Sequence, residues 1–403
     1  MVCKSAVFFI GLFFLNGLRL QAQQLDRKTQ ELLTGAKQGE VLSLPAIIPG
    51  KIPEIAYRKE VLSGPRLIIS DDPEYILEPE CLALREIVSP GPVRLYLYNV
   101  NGVVRPAKMP RKITAVLKNT GEGIMHLRFL KYSSQPPSSN YYQVGKQGLA
   151  DYFTSAGSDS ILSIPPGEAA PIDPRLERQT ASYDELVHGF YEFTIDQPGE
   201  IAILQTSPDT EGPVALARLH SVVPPSRSNA GRGLFEVCNY KITPKKPIDT
   251  REGPVSLVVA DGKKDPWITG REGSTGQAVA LSGNYGVVYT MELEWKSTDG
   301  RSLALVTWNP WSNNSHWCGG MANTMIVGDG IHKEEIELLP SDRLITGGAP
   351  EAILVKVFHP SADKRTQIIK LTFSPPGASC LPIPLVFIPV DTKTTDHPKG
   401  TIH

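Results

Sequence analysis

The chain has 403 residues, 41 of them basic and 42 acidic, for a formal net charge of −1 at neutral pH. Both signs are interspersed and no basic block stands out, so the electrostatic footprint of a nucleic-acid binder is missing. Proline and glycine, 35 of each, punctuate short apolar runs, and that composition predicts many turns and a mainly β protein.

The opening residues, MVCKSAVFFIGLFFLNGLRLQA, carry Lys4, an apolar run from Ala6 to Leu15 and a small-residue cleavage point after Ala22. This is the order of a secretory signal peptide over 1–22. The run is shorter than the roughly 20 residues of a membrane span. An uncleaved anchor is the alternative, because Arg19 is unusual so near a cleavage point. Cys3 precedes the apolar run, which argues against a lipoprotein. The mature chain is therefore expected to be exported, extracellular or at the cell surface, with no transmembrane segment. Cys81, Cys238, Cys318 and Cys380 remain, and an even number in an exported chain permits two disulfides. No close CxxC pair supports a zinc site, and no cofactor is expected.

Residues 23–62 read as a short helix over 24–38 followed by an extended Pro-rich linker. An Ig-like β domain is expected over 63–223. In PVRLYLYNV, Val93, Leu95 and Leu97 alternate with Arg94, Tyr96 and Tyr98, the period of a sheet with one buried face. ITAVLK and IMHLRFLKY flank NTGEG, and YEFTI and IAILQT flank DQPGE; both pairs predict hairpins. Met125, Leu127 and Phe129 should face one way, with His126 and Arg128 opposite. VGKQGLADYFTSA (144–156) has helical spacing, and SYDELVHGF (182–190) reads as a further helical turn or two. The composition breaks at VVPPSRSNAGRG (222–233), where a domain boundary is expected. A larger β-sandwich or jelly roll over 234–390 follows, with Tyr289, Met291, Leu293 and Trp295 on one strand face. The polar tail 391–403 is expected to be disordered.

PVRLYLYNVNG, KITAVLKNTGEG, YYQVGKQGLADYF and GNYGVVYTMELEW resemble a set of uncharacterised exported bacterial proteins. Some of those carry a copper amine oxidase N-terminal-type repeat, a wall-associated module that is not visible here. The resemblance implies an exported β-rich protein of unknown activity. Copper amine oxidase chemistry needs Asn-Tyr-Asp/Glu and a His-x-His pair. Here Tyr141, Tyr240 and Tyr285 follow Asn but precede Tyr142, Lys241 and Gly286, and no His-x-His occurs.

TWNPWSNNSHWCGGMAN (307–323) holds three of the five tryptophans. Trp308, Trp311 and Trp317 offer stacking faces, and Asn313, Asn314 and His316 offer donors and acceptors, which together suit a neutral polysaccharide or wall component. The opposing expectation is that Trp308 finishes the strand LALVTW and the other rings plug a sheet end. Cys318, two residues from His316, reads as a disulfide half or structural thiol ahead of a nucleophile. Asn313-Asn314-Ser315 is also a glycosylation sequon if the source is eukaryotic. Asp184 with His188 has metal-pair spacing only on a helix, and a solvated helical face is the favoured reading. His332 beside Glu334 reads as solvent-facing, and the Gly-rich TGREGSTGQ (269–277) as a mobile turn. The resulting expectation is an exported binding or structural protein. The alternative is an extracellular polysaccharide-acting hydrolase or lyase with unassigned acidic residues.

Overall fold

The computed structural model describes residues 25–48, 50–226, 231–309, 323–339, 350–362, 366–379 and 381–391. Strands take up 46% of the chain and helices 11%, so pairing between strands organises the molecule. The α-helices among the described residues are α1 (Arg27–Gly35), α2 (Tyr141–Thr154) and α3 (Gly212–Arg218). The first two fall where helical spacing placed them. Asp26 caps α1 by accepting from Thr29 N at 2.9 Å, and Asn140 caps α2 through Gln143 N, satisfying amides with no partner inside the helix.

Four sheets are described. Sheet I runs Ala278–Ala280, Thr269–Arg271, Arg232–Phe235, Arg66–Ser70, Gly91–Asn101, Leu186–Ile195, Met125–Ser138 and Ile161–Ile164, with Tyr75–Ile76 beside Gly91–Asn101. Sheet II is Ala169–Pro171, Lys112–Asn119, Gly199–Thr206 and Cys81–Val88. Sheet III is Val41–Ser43, Glu351–Phe358, Ser302–Thr307, Ile383–Val390 and Val255–Val259. Sheet IV is Tyr57–Val61, Asn239–Pro244, Val288–Lys296, Gln367–Phe373, Thr324–Gly328 and Glu335–Leu338, with Ile248–Asp249 beside Val288–Lys296.

Sheet I is a middle layer, and this corrects the expectation of one buried face. Val93, Leu95 and Leu97 pack with Ile113, Leu117 and Ile203 of sheet II. Tyr96 and Tyr98, on the other face, join a core with Tyr289, Met291, Leu305 and Phe387 of sheets III and IV. Tyr and Arg read as a solvent face because their tips are polar, but here the tips of Tyr96 and Arg94 are partnered, while the buried Tyr98 hydroxyl has no hydrogen bond among the described residues. Tyr96 Oη accepts from Gly377 N at 2.9 Å. Arg94 donates to Glu192 Oε2 at 2.9 Å and to Tyr152 Oη at 3.0 Å. Such pairing makes burial of polar groups tolerable.

Neither expected hairpin forms. Lys112–Asn119 pairs within sheet II, and Met125–Ser138 pairs within sheet I. Likewise Leu186–Ile195 lies in sheet I and Gly199–Thr206 in sheet II. NTGEG and DQPGE are therefore arches that carry the chain between facing sheets. Asn119 holds the first arch through Gly123 O and Gly121 N. The two arches bond to each other where Thr120 N–H donates to Pro198 O at 3.0 Å. A short polar connection is compatible with either route, and the buried face decides between them. Met125 and Leu127 are buried while His126 and Arg128 are exposed, as the alternation required.

The segment 222–233 does not lie between separate sheets. Arg232–Phe235 pairs with Arg66–Ser70, so sheet I runs through the expected boundary. Nor do residues 23–62 form a free linker. Val41–Ser43 pairs with Glu351–Phe358 and Tyr57–Val61 with Asn239–Pro244, while Leu33, Leu42, Leu44 and Ile47 cover the outer face of sheet III. SYDELVHGF is no helix: Leu186–Ile195 is strand. Asp184 lies in the turn before that strand and His188 within it, so no helical face brings the two together.

Candidate functional site

Trp308 is 8% exposed and packs with Leu33, Ile47, Val306 and Val386, which corrects its assignment to a ligand surface. It caps the strand Ser302–Thr307, whose last residue donates through Thr307 Oγ1 to Pro384 O at 2.7 Å. Trp311, Asn313, Asn314, His316, Trp317 and Cys318 lie outside the described residues, as does Cys380. Cys81 and Cys238 are buried free thiols, so a framework pairing all four cysteines is not present. Burial pushes the Cys81 thiol up to about 12.

Asp184 and His188 do not meet. Asp184 is exposed in a left-handed turn at φ 68° and accepts from Tyr75 Oη at 2.9 Å. His188 is buried; its Nδ1–H donates to Leu97 O at 2.8 Å, and Nε2 has no partner among the described residues. A Cβ on Gly148 of α2 would fall 2.4 Å from Nε2, so the helix closes directly over the ring. Burial lowers the His188 pKa to about 4. His332 hydrogen-bonds Asp329 Oδ2 at 2.7 Å instead of meeting Glu334. TGREGSTGQ is pinned, because Glu272 is buried and bonded to Arg232, Ser274 and Thr275.

The site that the sequence reading passed over is the loop DGKKDPW, 261–267. Trp267 is 39% exposed, and its ring lies across Gly262, where a Cβ would come within 2.6 Å of the indole. Gly262 also has φ 68°, a conformation glycine adopts at little cost. Buried Asn284 fixes the backbone on both sides of the tryptophan. Its Oδ1 accepts from Ile268 N at 2.9 Å, and its Nδ2 donates to Pro266 O at 3.4 Å. The same Nδ2 donates to Tyr289 Oη at 2.8 Å, and Tyr289 donates to Asp265 Oδ2 at 2.6 Å.

Asp265 is fully buried and accepts from Ala260 N at 2.7 Å and from Lys59 Nζ. The Lys59 ammonium sits 3.9 Å from the centroid of the Tyr240 ring and 5.5 Å from that of Tyr289, a cation–π arrangement. Asp261 accepts from Lys263 N and Asp265 N; burial opposes its ionisation, but these amides prevail and hold its pKa below the usual range. Burial, aided by the charges of Asp265 and Asp261, raises the Tyr57 phenol far above its ordinary value. Tyr57 Oη has no hydrogen-bond partner among the described residues. The result is a rigid aromatic corner whose two loop carboxylates are fully engaged in holding it. The sequence signal was the Asp-Gly and Asp-Pro turn chemistry just before a lone tryptophan.

No protein-family model matches the chain, and no curated protein does. Among solved structures, the CUB1-EGF-CUB2 domain of human MASP-1/3 is 6% identical, with 76% of this chain and 100% of that chain covered at a TM-score of 0.19. YhaK from Escherichia coli is 11% identical, covering 84% and 94% at a TM-score of 0.13. The Macrobrachium rosenbergii nodavirus structure is 8% identical, covering 97% and 96% at 0.15.

Proposed function

We propose that the protein is an exported binding or structural protein, acting at or outside the cell surface, that engages a polysaccharide or wall component through aromatic faces. Trp267 is one such face. The observation that carries this reading is the exposed indole on a backbone clamped from both sides by Asn284. A large ring held in place can stack on a sugar ring with little further loss of freedom. Trp311 and Trp317, with Asn313, Asn314 and His316, belong to the same proposal, and export rests on residues 1–22. Binding is favoured over hydrolysis at this corner because glycoside cleavage needs carboxyl groups free to exchange a proton or attack the sugar. Asp261 and Asp265 instead accept from backbone amides, Lys59 and Tyr289.

The test is titration of soluble neutral and wall glycans against the full mature chain, followed by tryptophan fluorescence. Wild type should respond saturably, and Trp267→Ala should weaken binding about tenfold or more, in line with the roughly 1–3 kcal/mol of one stacked ring, while leaving the melting temperature almost unchanged. Trp311→Ala and Trp317→Ala test the second face. If no glycan perturbs the fluorescence, or Trp267→Ala binds as wild type does, the assignment of this corner is wrong.

A further inference from the structure

Two buried carboxylates, Glu86 and Glu272, meet where the hairpin Thr269–Arg271/Ala278–Ala280 touches sheet II. Gly273, at the hairpin tip, donates its N–H to Glu86 Oε1 at 2.7 Å. A Cβ there would lie 2.4 Å from Glu86 Oε2 and 2.6 Å from Arg85 O, so glycine is what allows the tip to seat. Glu272 takes Arg232 Nη2 at 3.0 Å, together with the hydroxyls of Ser274 and Thr275. Burial opposes its charge, but these partners outweigh burial and hold its pKa at about 2. The other amino group of Arg232, Nη1, is spent on the carbonyls of Val223, Asp72 and Ala83.

Glu86 is thus a second buried acid facing a guanidinium already committed to Glu272. Of the remaining charges nearby, Arg271 is exposed, and Arg85 is engaged with Glu200 and His220 O. Asp72 accepts from Ser226. Burial, with Glu272 adding to it against the Gly273 amide, Arg271 and Arg232, raises Glu86 to about 7. The hairpin itself is slight. Each strand has three residues, and one ladder pair, Leu234 with Arg271, together with the Glu272–Arg232 ion pair ties it to the next strand of sheet I.

We propose that this hairpin is a pH-dependent latch, docked on sheet II while Glu86 carries its proton and loosened once Glu86 ionises. The sign follows from the raised value. Docking is strongest below the ordinary carboxylate range near 4.5 and is lost as pH rises through about 7. That span corresponds to a weakening on the order of a hundredfold. The hairpin begins directly after Trp267 and Ile268, so the latch also governs how firmly the aromatic corner is carried. It does not depend on the binding reading, and its test uses no ligand.

Hydrogen–deuterium exchange of amides 271–277, corrected for the intrinsic pH dependence of exchange, measures tip opening directly. Opening should rise on the order of a hundredfold between pH 5 and pH 8.5 in wild type and stay flat in Glu86→Gln, whose neutral amide mimics the protonated acid. Opening that is independent of pH in wild type, or the same pH dependence in Glu86→Gln, overturns the latch. Should Glu86→Gln fail to fold, the Gly273 amide resonance of wild type decides. A titration midpoint near 7 supports the latch, and one in the ordinary carboxylate range sinks it.

Discussion

The phenol of Tyr289 donates to Oδ2 of Asp265 across 2.6 Å, beneath the loop that presents Trp267. Tyr57 lies in the field of the same carboxylate yet its hydroxyl bonds to nothing among the described residues. The two tyrosines should therefore answer oppositely to the same change. Tyr289→Phe leaves a buried carboxylate and Asn284 short of a partner and should cost about 1–3 kcal/mol. Tyr57→Phe removes an unsatisfied buried hydroxyl and should be neutral or stabilising by up to about 1 kcal/mol. Urea unfolding of both variants checks the contrast; equal losses would contradict it.

Arg94 ties sheet I to α2 and to the strand entry at Cys238, through Glu192, Tyr152 and Cys238 Sγ. Arg94→Met should destabilise by about 3–5 kcal/mol, chiefly by leaving Glu192 without its counter-charge. Adding Glu192→Leu should recover much of that loss. A double mutant as unstable as the sum of the singles would show that the pair is not coupled.

His188 should make the fold acid-sensitive. Its folded pKa, near 4, is depressed by burial below the ordinary 6.5. The stabilisation is therefore complete above about 6.5 and is lost as pH falls toward and through 4. The full loss is on the order of 3 kcal/mol. Glu86 acts in the opposite direction over an overlapping range, so the comparison belongs in a Glu86→Gln background. There, His188→Gln should flatten the stability profile between pH 6.5 and 4, as read by denaturant midpoints.

Cys81 and Cys238 should resist thiol reagents in the native protein and react only on unfolding, without any reductant. Cys238 is held between Arg94 and Pro65 O, and Cys81 is buried with a raised pKa. Mass spectrometry of alkylated peptides reads both sites. Rapid native labelling of either would contradict the described packing.

The strands were legible where one face is apolar and the other charged, as in VVYTMELEW and at Met125 to Arg128. Helical spacing gave α1 and α2. What could not be read was which sheet a strand joins, because NTGEG and DQPGE satisfy a hairpin and an arch equally well locally. Tyr96 and Arg94 look like a wetted face until their distant partners Gly377, Glu192 and Tyr152 arrive. Trp267 went unmarked for a related reason. Its rigidity comes from Asn284, which folds back from beyond the hairpin, a contact that no local pattern around residue 267 reveals. Trp308, taken there for a ligand face, is buried by α1 and its neighbours.

Val41 pairs with Ile353 and Leu42 with Ala352, while α1 and its following turn lie over sheet III. Val41–Ser43, the earliest strand among the described residues, thus has its partner far along the sequence. Loop closure over such a span makes this pairing entropically late. Sheet III can assemble only when Glu351–Phe358 and Ile383–Val390 are present, and α1 then seals it. A chain arrested before residue 351 should leave Leu33, Leu42, Leu44 and Ile47 without a surface to cover, and so keep residues 25–48 unfolded until Glu351–Phe358 has been made.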